Sequence, residues 1–291
     1  MANYIVTGST GYIGSSLVKS LAACGNSILC IIRKGSDLTL LAQVRERVEF
    51  CVYDGTLESL SQVISDFHAT AVVHVASHFI AEHKPEDITS LINSNVLFGA
   101  HLLEAMSGCG VTKLINIGTS WQHYMNREYD PVCFYAATKQ AFVDLIKYYV
   151  SARQFSCITL KLFDTYGTGD PRKKLVHLLG RVASTGEELL MSPGGQKLDL
   201  VHVDDVVSAI FVALEKLGQL KQGSYQEFGV STRKPMTLKE VVSRYEKHFN
   251  KKLNIVWGGR SYRDREVMEL WSNFRTLDDW SARHVFPEGL E

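Results

Sequence analysis

Through its first half the chain alternates two patterns. Short runs of consecutive apolar, often β-branched residues are followed by longer stretches in which apolar residues recur every three or four positions. The short runs predict strands at 3–7, 27–32, 48–52, 71–76, 113–118 and 157–163. The longer stretches predict helices at 12–24, 57–67, 89–107 and 135–153. In Val72-Val73-His74-Val75-Ala76 the apolar positions are consecutive rather than alternating, as in a strand covered on both faces. Alternating strands and helices with short connections give an α/β fold, a doubly wound parallel sheet with right-handed crossovers.

Beyond residue 163 the pattern loosens. Tyr166-Gly167-Thr168-Gly169-Asp170-Pro171 reads as a loop and Ser192-Pro193-Gly194-Gly195 as a turn. The predicted division is a dinucleotide-binding Rossmann unit over 1–163, to which 196–232 returns, and a smaller C-terminal lobe from 164–195 and 233–291. No internal repeat or low-complexity segment interrupts this plan.

Composition then narrows the partners. Lys plus Arg and Asp plus Glu both number 31, so the formal net charge is zero, without the basic footprint of a general nucleic-acid binder. No apolar run approaches the roughly 20 residues needed to span a bilayer. The opening Met1-Ala2-Asn3-Tyr4 runs into a strand without a charged leader, which predicts a cytoplasmic protein. The six cysteines are scattered with no Cys-x-x-Cys pair, favouring free thiols over disulfides or zinc, and no His/Cys/Asp/Glu set has metal spacing.

The first chemical signal is Thr7-Gly8-Ser9-Thr10-Gly11-Tyr12-Ile13-Gly14, set between the first strand and the first helix. Gly8 permits a tight turn, Gly11 lets backbone approach a pyrophosphate, and Gly14 lets helix and strand pack closely. Thr10, Tyr12 and Ile13 complete the loop, where free helix N–H groups favour phosphate. At the end of the second strand Arg33 and Lys34 stand where a carboxylate would accept from a free ribose 2′-hydroxyl. Arginine there can hold a 2′-phosphate, so NADP(H) is favoured over NAD(H); the alternative is a pair of solvated loop cations. Asp54 is either an acceptor for the adenine amino group or a cap for the helix at 57.

The second signal is Tyr135-Ala136-Ala137-Thr138-Lys139, preceded by Thr119-Ser120 at a strand end. The four-residue step puts Tyr135 and Lys139 on one helix face. A tyrosine is a poor proton donor–acceptor at neutral pH, and a neighbouring ammonium is expected to bring its pKa toward working pH. Lys139 can also reach a nicotinamide ribose. Thr119, with Ser120, is placed to hold the carbonyl oxygen that Tyr135 protonates.

With these residues the chain resembles an extended short-chain dehydrogenase/reductase of the nucleotide-sugar epimerase/dehydratase type. The likeness includes Gly8/Gly11/Gly14, Val73-His74-Val75-Ala76-Ser77, Asn95-Val96-Leu97-Phe98-Gly99, Thr119/Tyr135/Lys139 and Val201-His202-Val203-Asp204-Asp205-Val206. The resemblance implies a nicotinamide cofactor on the large domain, with Ala76 beside it, and a nucleoside-diphosphate sugar between domain and lobe. It also implies a homodimer paired through the helices at 89–107 and 135–153. Arg263 and Arg265 fall where such proteins neutralise the substrate diphosphate, or they form a solvated, salt-bridged strip.

Departures from the family pattern narrow the reaction. Where 4,6-dehydratases carry an Asp-Glu pair directly after the active-site threonine, this chain reads Ser120-Trp121-Gln122, so dehydration lacks its carboxylates. The usual arginine of the sixth strand is Lys161. The usual asparagine before Tyr-Gly is Asp164, which either meets sugar hydroxyls or caps a loop. The stretch 117–124 with 134–140 is similar to CDP-4-keto-3,6-dideoxyhexose reductases of the abequose/paratose type. There Trp121 and His123 line the sugar pocket or serve packing. His74 reads as a satisfied core histidine, and neither His78 nor His83 is given a catalytic role.

The expectation is therefore NADPH-dependent reduction of a 4-keto deoxyhexose on a nucleoside diphosphate, in deoxysugar biosynthesis for surface polysaccharide. Its rivals are a 4-epimerase retaining NAD and a non-catalytic NADP sensor that binds a protein partner; the intact Tyr135/Lys139 pair argues against the sensor.

Overall fold

The computed structural model describes residues 1–290. In chain order the first half comprises β1 (Asn3–Thr7), α1 (Tyr12–Ala23), β2 (Ser27–Arg33), β3 (Glu49–Tyr53), α2 (Leu57–Phe67), β4 (Ala71–His74), α3 (Ile88–Ile92), α4 (Phe98–Gly108), β5 (Lys113–Thr119) and α5 (Phe134–Arg153). There follow β6 (Ser156–Leu162), β7 (Asp164–Tyr166), α6 (Leu175–Thr185), β8 (Leu189–Met191), β9 (Lys197–Leu198) and β10 (Leu200–His202). The chain continues through α7 (Val203–Gln219), β11 (Tyr225–Val230), β12 (Met236–Thr237), α8 (Leu238–Phe249) and β13 (Ile255–Trp257).

Strands that are apolar at consecutive positions need cover on both faces, and here they have it. Seven strands form one sheet in the order β11-β6-β5-β4-β1-β2-β3, every neighbour parallel. One apolar cluster joins Leu17, Val18 and Leu21 of α1 to Val206, Ile210 and Leu217 of α7 against that sheet. A second joins Leu60 and Ile64 of α2 with Leu102 and Met106 of α4 and Phe142 and Ile146 of α5. The order reverses between β1 and β4, so a crevice opens at the carboxyl ends of those strands, where doubly wound sheets take ligands.

A third cluster, with Leu179, Val182, Met191, Leu238, Val241 and Tyr245, forms the core of the smaller lobe. Trp271, Leu277 and Trp280 of the C-terminal segment belong instead to the first cluster, packed with the sheet. The Trp280 indole donates to Asp205 O and Ser208 Oγ at the start of α7, which pins that segment down.

Two elements differ from the periodicity. The helix expected over 89–107 is broken by a π-helical turn, Asn93–Leu97, between α3 and α4. The extra residue turns Asn95 inward, where it accepts from His78 N at 2.7 Å and donates to His78 O and Thr138 Oγ1. β4 stops at His74 because Ala76 N leaves the ladder for the Thr7 hydroxyl.

Candidate active site

The glycine loop shows which of its glycines the chain itself requires. Gly8 has φ +67°, and a Cβ there would lie 2.5 Å from Ala76 N. A Cβ at Gly14 would meet Gly8 O at 2.1 Å, so α1 could not sit on the turn. At Gly11 the nearest atom would be 3.4 Å away, an ordinary contact. Packing therefore does not demand glycine at 11; the room in front of it faces the main cavity. Gly11 is also the N-cap of α1, with no side-chain cap and no acidic residue in the first turn, so N–H groups there are unopposed. This cradle fits the pyrophosphate of a dinucleotide.

The cavity has a volume of about 1340 Å³ and extends from the glycine loop, past β4 and β5, to α6 and β8. Gly8, Thr10, Gly11, Tyr12, Ile13, Gly14, Arg33 and Ala76 line it; Lys34 and Asp54 do not. The Asp54 carboxylate accepts from Thr56 N, Thr56 Oγ1 and Ser59 Oγ. The Thr56 and Ser59 hydroxyls hold its pKa down at about 2. Asp54 thus supports the start of α2, whose N-cap is Thr56.

Thr119, Ser120, Trp121, Tyr135 and Asp164 line the same cavity. Thr119 ends β5, and its Oγ1 accepts from Trp121 N at 3.2 Å, so the turn fixes its side chain. Tyr135 lies in the first turn of α5 with its side chain buried. Burial pushes its pKa up to about 12, and a hydrogen bond from Ser77 opposes the rise. Lys139 is buried one turn further on and is not among the lining residues; burial lowers its pKa to about 8. The expected fall of the Tyr135 pKa is therefore not found: loss of solvent outweighs any pull from Lys139.

Several expectations resolve geometrically. Arg263 lines the cavity, with Glu82 3.9 Å from its Nε. Arg265 does not; it pairs with Asp130 and lies over the Tyr124 ring, 4.2 Å from the centroid. His123 is buried away from the cavity, stacked on Trp271 at 4.0 Å, with Nδ1 3.0 Å from Arg127 O. Its Nε2 accepts from Lys161 Nζ at 2.7 Å, and Lys161 also pairs with Glu227 at 2.8 Å. Burial and then the Lys161 cation lower the His123 pKa, keeping it neutral. His74 is fully buried, with Nδ1 2.9 Å from the Thr7 hydroxyl and its ring near Phe98 and Phe142.

Some site residues escaped the sequence. Arg172 and Lys174 line the cavity beside Asp164, together with Arg260. Burial raises the Asp164 pKa and lowers that of Lys174, while each opposes the shift in the other. Arg172 is held by Asp170 at 2.6 Å and lies over Tyr12, 4.9 Å from the ring centroid. A basic run, Arg172-Lys173-Lys174, directly behind a strand-end loop was the available signal. Away from the cavity, His202, Asp204 and His284 come within 4.8 Å of one another, a grouping their sequence separation hides. The two imidazoles stack at 4.2 Å; His202 Nδ1 accepts from Asp204 N, and His284 Nδ1 lies 3.1 Å from Asp205. Stacked rings direct their in-plane lone pairs along separate lines, which does not suit a shared ion.

Comparison with known proteins gives this geometry a lineage. Residues 4–226 match the NAD dependent epimerase/dehydratase family. The chain belongs to that family. CDP-abequose synthase of Salmonella muenchen is 30% identical over 292 residues, covering 99% of this chain and 95% of the relative. CDP-abequose synthase of Yersinia pseudotuberculosis is 29% identical, covering 97% and 93%. Among solved structures, a Bacillus cereus UDP-glucuronic acid 4-epimerase in complex with UDP-glucuronic acid and NAD superposes with a TM-score of 0.85. It is 20% identical and covers 99% of this chain and 96% of the epimerase, a likeness of fold. The chain is thus a Rossmann-type enzyme of a family that uses a nicotinamide cofactor and modifies nucleotide sugars. No helix among the described residues is long and apolar enough to cross a membrane.

Proposed function

We propose that this protein reduces the 4-keto group of a nucleoside-diphosphate deoxyhexulose, with CDP as the nucleotide and NADPH as the reductant. The reading assigns it to deoxysugar biosynthesis for surface polysaccharide, as a cytoplasmic homodimer. The observation that carries it is the convergence of Thr119, Ser120 and Tyr135 on the one cavity that also holds the glycine cradle. Full-length similarity to CDP-abequose synthases supports the sugar class.

The bound cofactor would supply hydride to the carbonyl carbon. Gly8, Thr10, Gly11, Tyr12, Ile13, Gly14 and Ala76 would hold it, with Arg33 at its 2′-phosphate. Tyr135, which burial keeps protonated through neutral pH, donates its proton to the carbonyl oxygen as charge develops there. Thr119, oriented by its bond from Trp121 N, offers its hydroxyl proton to the same oxygen, with Ser120 beside it. Lys139 places a positive charge behind Tyr135 in a site of low dielectric, easing formation of the phenolate. Arg172, Lys174, Arg260 and Arg263 line the cavity and supply the charge that a diphosphate needs. Asp164, facing Lys174, serves the sugar hydroxyls. No carboxylate stands at positions 120–122 for an elimination of water.

Incubation with NADPH and a panel of CDP- and dTDP-linked 4-keto sugars, followed by cofactor absorbance, tests the reading. Rapid oxidation with the CDP-deoxyhexulose is expected; no oxidation with any member overturns it.

A further inference from the structure

Phe79 is a large aromatic left 45% exposed on the wall of the cavity. Its ring meets that of Tyr135 edge-on, with centroids 5.0 Å apart and planes at 81°. On another side it meets Trp121 at 5.6 Å, and Lys174 Nζ lies 5.4 Å from its centroid. Phe163 and Leu270 line the same space. The proton-donating ring is therefore flanked by aromatic carbon, and the nearby hydroxyls of Thr119 and Ser120 are already assigned to the reacting oxygen.

We infer that Phe79 and Trp121 form a largely apolar clamp that reads the absence of hydroxyls on the sugar carbons near the reacting centre. The inference rests on the reduction proposed above and names the residues that select its deoxygenated substrate. A methylene or methyl group set against these rings gains apolar burial. A hydroxyl set against the Phe79 face gives up water and finds no donor or acceptor on that ring, the Trp121 indole N–H being the one polar atom of the pair. The Phe79 face discriminates modestly against an added hydroxyl, by about 10–100-fold, because the ring itself holds no polar group that the wrong ligand leaves unpaired. The exposure of Phe79 then has a cause: the face awaits a sugar.

Binding separates this inference from the reaction itself. Calorimetry compares CDP-linked 3,6-dideoxyhexose with CDP-glucose, with CDP as a control, on the wild-type protein and on Phe79→Ala and Phe79→Leu. The wild type is expected to favour the dideoxy ligand about 10–100-fold. Phe79→Ala should shrink that preference about tenfold while leaving CDP affinity unchanged, and Phe79→Leu should retain most of it. Equal wild-type affinity for the two sugars, or equal weakening of both by Phe79→Ala, overturns the clamp. Because no turnover is involved, failure of the reductase assay would leave this measurement intact, and an active reductase without the preference would refute the clamp alone.

Discussion

Gln122 donates through Nε2 to Gln140 Oε1 at 2.6 Å, joining the turn after β5 to the helix that carries Tyr135 and Lys139. Its own Oε1 accepts from Thr119 N at 3.1 Å, and Gln140 passes the connection to Asp144 at 3.2 Å. Gln122 is fully buried, so both ends of its amide are in use without competition from water. The separation of Thr119 from Tyr135 is thereby fixed by a side chain that need not touch the ligand.

Substituting Gln122→Leu keeps the volume and removes both bonds. Turnover is expected to fall about tenfold or more, since small misplacements of reacting groups are costly. The KM should stay near that of wild type, and Gln122→Glu, which can still accept from Thr119 N, should recover part of the loss. A fall in thermal stability with unchanged kcat would show a purely structural link.

Arg33 lines the cavity and Lys34 does not, so the proposed preference for NADPH would rest on Arg33. Arg33→Ala should weaken NADPH by about 1.5–3 kcal/mol, the scale of a charge-assisted hydrogen bond, and leave NADH nearly unchanged. Lys34→Ala should alter neither. Titration of both cofactors by fluorescence decides it; equal small changes for the two would make Arg33 a surface cation.

Much of this architecture was legible in the chain. Consecutive apolar residues such as Val72 and Val73 announce a doubly covered strand, and Gly8 and Gly14 announce a turn with no space for a side chain. What stayed hidden depends on contacts distant in sequence. The π turn at Asn93–Leu97 exists because Asn95 serves His78 and Thr138, which no local periodicity encodes. Phe79 and Lys174 meet at the cavity from two loops 95 positions apart. The rise of the Tyr135 pKa stayed hidden too, because Tyr-x-x-x-Lys spacing encodes a neighbour and not the loss of solvent.

Tyr135→Phe removes the donor and keeps the ring, so CDP-sugar and NADPH affinity should persist while turnover drops by about 10²-fold or more. Lys139→Met should also lose turnover. The double variant should be little worse than the weaker single one, because groups acting as a unit do not add. Additive losses in single-turnover assays would dissolve the Tyr135–Lys139 coupling.

Lys139 links activity and stability to pH in opposite senses. Burial lowers its pKa in the folded protein from its ordinary 10.5 to about 8. Below pH 8 both folded and unfolded chains hold the proton, and the folded protein bears the whole cost of burying the charge. Between pH 8 and 10.5 the unfolded chain binds more protons, so this group makes stability rise with pH. The cost below pH 8 is of order 3 kcal/mol. Urea unfolding should therefore find Lys139→Met more stable than wild type at pH 7, with the advantage fading toward pH 10.5. Activity should run the other way: kcat/KM of the wild type falls above about pH 8 as Lys139 loses its charge. Tyr135, near 12, contributes no limb in that range. Lys139→Arg, which stays charged, should move the basic limb upward; an unmoved limb would assign it to another group.

Reduction and epimerisation would both draw on Thr119, Tyr135 and Lys139, and they differ in what becomes of the cofactor. A reductase must exchange its nicotinamide every turnover, so one NADPH should be oxidised per keto sugar consumed. On the proposed reading, Arg33 at the cavity wall would offer a charge to the 2′-phosphate of an incoming NADPH. With label at the transferable position of NADPH, deuterium should appear at one sugar carbon, expected to be C4, in one stereoisomer. A single product follows from a carbonyl held between Tyr135 and one face of the cofactor site. An epimerase would instead interconvert 4-hydroxy sugars on tightly held NAD, with no net NADPH consumption and no retained label from solution. Sustained interconversion of that kind would replace the reductase reading with the epimerase one.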